Sequence, residues 1–264
     1  MKRFIFSLLL VLLLTSVVPA SFVTLPDNGG GTAQMPIQSA YPSINPMVIT
    51  SGLPFGSQIN INAIWLATTV SAEQPGGGLG GTKSAGGGPL MLWIMQGTGA
   101  LSTYSRVLTM PGQAGPGGVA SFADPAFNVT GSSYEVHAAP RTAFAPVQTY
   151  NTDLYRMFSQ ITGDPDFDLL RLTAGSDFGM PSPGQTTLTQ VGPNWNVESY
   201  HDVQYRIDFV GHAGGPFGGM SGSTTAISRF QIGMPIVPEP ASCMLLSVGL
   251  AGVMLIRRRM RTQN

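Results

Sequence analysis

The residues best placed to do chemistry are Asp164-Pro165-Asp166-Phe167-Asp168. Carboxylates at alternate positions can converge on a hard cation, because Ca²⁺ takes oxygen ligands from short acidic loops. An EF-hand loop also wants glycine at its sixth position and glutamate at its twelfth, where Leu169 and Gly175 stand. That motif is therefore excluded. Asp164, Asp166 and Asp168 are left with two readings: a looser calcium site between loops, joined by Asp177, or a solvated acidic turn. Calcium is the one cofactor considered. Trp195, flanked by Pro193, Asn194 and Asn196, is expected at a loop. An exposed indole there would stack on a sugar ring. Trp65 and Trp93 lie in apolar runs and are expected in the core.

Other groupings fail on their own chemistry. Gly219-Met220-Ser221-Gly222-Ser223 resembles a nucleophile elbow, but G-x-S-x-G needs glycine where Ser223 stands. His201 and Asp202 are neighbours in a predicted strand and point to opposite faces, so they do not form a base and its orienter. Lys83-Ser84 follows a glycine run, Gly76 to Gly88, read as a surface loop. Thr82 stands where a phosphate loop needs glycine, and Ala85-Gly86-Gly87-Gly88-Pro89 leaves no helix N-terminus to hold an anion. Asn128-Val129-Thr130 fits a glycosylation acceptor but is read as coincidence.

Composition limits what can position these residues. Of 264 residues only 10% are charged, with 34 Gly and 21 Pro. Both residues break helices, which weighs against a bundle. Thirteen basic residues balance thirteen acidic ones, so no basic excess exists to bind nucleic acid. The single cysteine, Cys243, excludes a disulfide scaffold and lies in an apolar tail as filler.

Strand-like runs fill the middle of the chain: Ile59 to Ser71, Leu90 to Gln96, Ser102 to Met110 and Ser132 to Ala138. Leu90 to Gln96 is apolar enough to be buried on both faces. Tyr150 to Ile161 fits helical spacing through Leu154, Met157, Phe158 and Ile161. It is read as a strand because its neighbours are strands. Asp166 to Thr173, Gln185 to Val191, Asn196 to Val210 and Ser223 to Ile232 follow. Asn196 to Val210 sets Val203, Tyr205, Ile207 and Phe209 on one side and Gln204, Arg206 and Asp208 on the other. Strands spaced by Gly/Pro turns predict a mostly β protein, an antiparallel β-sandwich-like domain over residues 58–234. Residues 21–57, rich in Pro, Gly, Ser and Asn, are read as a flexible lead.

The ends carry an address. Met1-Lys2-Arg3, an apolar run and Val18-Pro19-Ala20 form a signal peptide over residues 1–20, cut after Ala20 and handled by Sec-type export machinery. Residues 235–264 form a tail. Val237-Pro238-Glu239-Pro240 precedes 16 uncharged residues, 241–256, then Arg257, Arg258, Arg259 and Arg261. As a helix the run spans about 24 Å, slightly short of the hydrocarbon core, and arginine stems can snorkel over the difference. The arginines orient it, since positive flanks stay in the cytoplasm.

This tail resembles the bacterial PEP-CTERM sorting signal, with Pro238, Glu239 and Pro240 as its motif. The resemblance implies recognition and cutting by a membrane-embedded exosortase. Three further runs, Gly175 to Thr189, Tyr205 to Gly211 and Gly219 to Thr225, are similar to exported PEP-CTERM proteins of planctomycete-like bacteria. Processing at both ends would leave seven basic and twelve acidic residues, a net charge of about −5 that disfavours direct binding of polyanions. The expectation is a non-enzymatic protein, anchored by its tail in transit and then delivered to the cell surface or extracellular matrix. Its β-domain would be structural or adhesive. A secreted polysaccharide-binding module is the alternative, and a secreted hydrolase a second.

Overall fold

The computed structural model describes residues 23–33, 40–66, 69–70, 74–75, 79–87, 90–111 and 134–232. The signal peptide with Ala20 lies outside the described residues. So do Asn128-Val129-Thr130 and the whole tail, with Pro238, Glu239, Pro240, residues 241–256 and Arg257, Arg258, Arg259 and Arg261. The chain divides into compact units Met1–Gly233 and Met234–Asn264, and every described residue belongs to the first.

Fifteen strands run in order through the described residues: β1 Val23–Pro26, β2 Ala40–Pro42, β3 Met47–Ile49, β4 Ile59–Leu66, β5 Thr69–Val70, β6 Gln74–Pro75, β7 Thr82–Gly87, β8 Leu90–Gly97, β9 Ser105–Met110, β10 Tyr134–Ala138, β11 Val147–Thr162, β12 Phe167–Ala174, β13 Pro183–Val191, β14 Asn194–Gly211 and β15 Ser221–Ile232. All pair antiparallel. They form a ten-stranded sheet and a five-stranded sheet, the latter ordered β2-β4-β8-β9 with β3 also on β4. Among the described residues no α-helix occurs, and no helix is long and apolar enough to cross a membrane.

Two long strands organise the large sheet. β14 pairs with β1 and β13 along its first half and with β15 and β12 along its second. Alternation decides its faces. Val203, Tyr205, Ile207 and Phe209 are buried in the main core against Met47, Ile49, Ile61, Leu92 and Met95 of the small sheet. The same face at the other end of β14 supplies Trp195 and Val197 to a second, smaller core with Leu25, Tyr150 and Leu188. The Val48 N–H donates to the Tyr205 hydroxyl at 2.7 Å, tying the small sheet to β14.

Three expectations are corrected. The lead is not loose where described: β1, β2 and β3 are strands, and Met47 and Ile49 are fully buried. Apolar side chains at alternate positions outweigh the turn-forming residues around them. The glycine run is not all loop either, because Thr82–Gly87 pairs with β10 on one side and with β5 and β6 on the other. Residues 59–71 are not one strand: β4 and β5 belong to different sheets. The stretch 150–161, ambiguous between helix and strand, lies wholly within β11.

Candidate functional site

The acidic turn joins β11 to β12 and is held in place by a residue from the other sheet. Arg106, on β9, grips Asp164 with both arms, Nη1 to Oδ1 at 2.5 Å and Nη2 to Oδ2 at 2.7 Å. Its Nη1 also meets Asp166 Oδ2 at 2.6 Å, and the Tyr104 hydroxyl donates to the same oxygen at 3.1 Å. The Asp166 N–H donates to Asp164 Oδ1 at 2.9 Å, closing the turn on itself. Burial pushes the Asp164 carboxyl up, but the hydrogen bonds from Arg106 and the Asp166 N–H outweigh it and hold it below the usual carboxylate range. Arg106 is raised, chiefly by Asp164. Tyr104 is raised by burial and by the Asp166 charge. Below the turn, Phe167 stacks on Phe217, and Tyr104 packs edge-on against the same ring.

Asp168 goes elsewhere. The β12–β14 register slips between Phe167 and Leu169, so Asp168 is the extra residue of a bulge. It faces His212, whose Nδ1 lies 2.7 Å from its Oδ1, with both side chains about half exposed. His212 borders an open cleft of about 470 Å³ lined also by Gly163, Asp164, Pro165, Ala213, Gly214 and Gly215.

The three aspartates of the calcium reading are each engaged by another side chain. A guanidinium occupies the place between Asp164 and Asp166 that a cation would take, and Asp168 is turned to an imidazole. Asp177 is bound by Arg156, whose Nε lies 2.7 Å from Oδ2. Among the described residues no group of three or more His, Cys, Asp or Glu is arranged to hold a metal ion.

The expectation that Trp195 stands at a loop is corrected. Trp195 lies in β14 rather than a loop and is 1% exposed. Its indole N–H donates to Asp27 Oδ2 at 2.8 Å, and that bond leads the causes that lower the Asp27 pKa. A ring with both faces in a core offers no platform.

The histidines do not assemble a triad. His201 faces inward and Asp202 outward, as strand alternation requires. Asp202 is held by Arg229 through two bonds of 2.7 Å, and Arg229 heads the causes lowering its pKa. His201 Nε2 and Thr152 Oγ1 are buried without partners among the described residues. Both flank Gly184, where a Cβ would come within 2.6 Å of His201 Cδ2 and 2.7 Å of Thr152 Oγ1. Burial pulls the His201 pKa down to about 4, against the opposing pull of Asp153 and Asp202.

Sequence reasoning missed Arg106, because the 58 residues separating it from Asp164 leave no local signal. It also missed Glu135, which pairs with His137 at 2.6 Å, the imidazole stacking on Tyr155. That spacing of two residues on one strand face is visible in the chain once the strand is assigned.

Comparison with known proteins adds one finding. Residues 237–259 match the family model described as the PEP-CTERM protein-sorting motif. No curated protein and no solved structure matches the chain. The motif implies export, a membrane-anchored stage of transit and an exosortase as sorting partner.

Proposed function

We propose that this chain is delivered to the cell surface or extracellular matrix, where its β-domain acts as a structural or adhesive module without catalysis. The observation that carries this reading is the sorting motif at residues 237–259, placed directly after the last strand of the sandwich. The arrangement of the acidic turn supports it, because Arg106 binds the two sheets together through Asp164 and Asp166. The reading includes a Sec-type signal cut after Ala20, release from the tail near Pro238-Glu239-Pro240, and orientation by Arg257, Arg258, Arg259 and Arg261. The likeness of residues 175–189 to planctomycete-like exported proteins belongs to the same proposal.

The test is replacement of Pro238, Glu239 and Pro240 by alanine in the native cell, following the tail in membrane fractions. Retention of the intact tail only in the variant supports exosortase processing. Equal retention in both forms overturns it. Mass analysis of the mature protein fixes both cut sites.

A further inference from the structure

The outer face of the large sheet carries a second ionic cluster with the opposite ratio of charges. Asp208 on β14 receives two guanidiniums. Arg206 reaches Oδ1 through Nε at 2.8 Å, and Arg171 reaches Oδ2 through Nη2 at 3.0 Å. The register explains the meeting: Arg171 on β12 stands directly opposite Asp208, and Arg206 lies two residues away on the same face. Arg229 on β15 faces Asp202, again on this side of β14. The three arginines therefore form a diagonal row across β12, β14 and β15. At about 3.3 Å per residue and about 4.8 Å per strand, the row is about 20 Å long.

Charge and exposure both point outward. Arg206 is 51% exposed, Arg229 43% and Arg171 34%, while Asp208 is 12% exposed beneath them. Three guanidiniums meet two carboxylates, so one positive charge is uncompensated. The Nη1 edges of Arg171 and Arg206 have no partner among the described residues, and a guanidinium edge with two N–H groups fits one carboxylate. Gln204, Ser223 and Thr225 share this face and surround the row with amide and hydroxyl groups.

We propose that Arg171 and Arg206, extended by Arg229, form a binding site for the carboxylate groups of an acidic polysaccharide. The free fork edges take the carboxylate, and the hydroxyl and amide side chains take the sugar hydroxyls. This deepens the adhesive reading, and it also revises the expectation from net charge: the portion left after processing at both ends would be acidic, but three of its arginines stand in one row on this face. Binding is tested in solution and sorting in cells, so either reading can fail alone.

The experiment is calorimetric titration of the full chain in detergent micelles. The titrants are an oligogalacturonate, a neutral oligogalactan and a polyglutamate of similar length, at low and at high salt. The expected result is binding of the oligogalacturonate alone, weakened by salt. R206Q weakens it about tenfold and the R171Q/R206Q pair abolishes it. D208N tightens it, because the competing carboxylate is gone while both forks remain. Melting curves establish that each variant is folded. If R206Q unfolds, D208N carries the decision. No oligogalacturonate binding, equal binding of the neutral oligomer or of polyglutamate, or D208N without tightening each overturns the site.

Discussion

Arg106 with Asp164 and Asp166, and Asp208 with Arg171 and Arg206, are mirror images in charge: one cation between two carboxylates, and one carboxylate between two cations. The first joins the two sheets, and its Asp164 side chain is 6% exposed. The second lies on a single sheet, with its guanidiniums open to water. The difference teaches that an ion cluster's role follows from what it bridges and which partner is left in excess. The inter-sheet cluster leaves a buried acid dependent on one guanidinium. The outer-face cluster leaves spare donors.

The largest effect should come from breaking the first cluster. Arg106→Met strands a buried carboxylate, and stability to urea is expected to fall by about 3 kcal/mol. A fall within error would demote the cross-tie to decoration. Asp208→Asn should have a smaller effect, about 1 kcal/mol, because relieved hydrogen bonding is partly replaced by the amide and the site is partly solvated. If its loss equals that of Arg106→Met, the contrast between the clusters disappears.

Acid sharpens the comparison further. Asp164 and Asp208 both have lowered pKa values, so their contributions are full above the ordinary carboxylate value of 3.8 and fade as pH falls through the depressed ones. His201 acts in a different window. Its folded pKa is about 4 against 6.5 when exposed, so the folded state binds its proton less readily than the unfolded one. Stability is therefore expected to decline as pH falls from 6.5 towards 4, before either cluster titrates. His201→Leu should flatten that decline in melting temperatures. A decline that survives the replacement would assign it elsewhere. The smallest effect is reserved for Arg229→Gln, an exposed pair, for which no resolvable change in melting temperature is expected.

Much of the sheet was legible because alternation is local. Val203, Tyr205, Ile207 and Phe209 announced a buried face, and Gln204, Arg206 and Asp208 the opposite one, within seven consecutive residues. The acidic turn was legible as a cluster, but its meaning was not. That meaning lies in Arg106 and in the bulge that turns Asp168 away, both consequences of register between distant strands. Trp195 misled for the same reason: its proline and asparagine neighbours describe the local turn, whereas Asp27 and the small core that enclose it come from distant segments, Leu25 on β1, Tyr150 on β11 and Leu188 on β13. The lead misled because composition averages over positions. A few buried side chains, Met47 and Ile49 among them, determine where it goes.

β15 is the last strand before residue 233, and it is held to β14 by an unbroken register from Val210↔Ser221 to Ser199↔Ile232. Any mechanical load entering the domain from its C-terminal side passes first through that strand. Directed along the strand axis, the load is shared by all rungs of the ladder in shear. Directed across it, the rungs open one after another from Ile232, and the force at which the domain yields depends on the direction of pull.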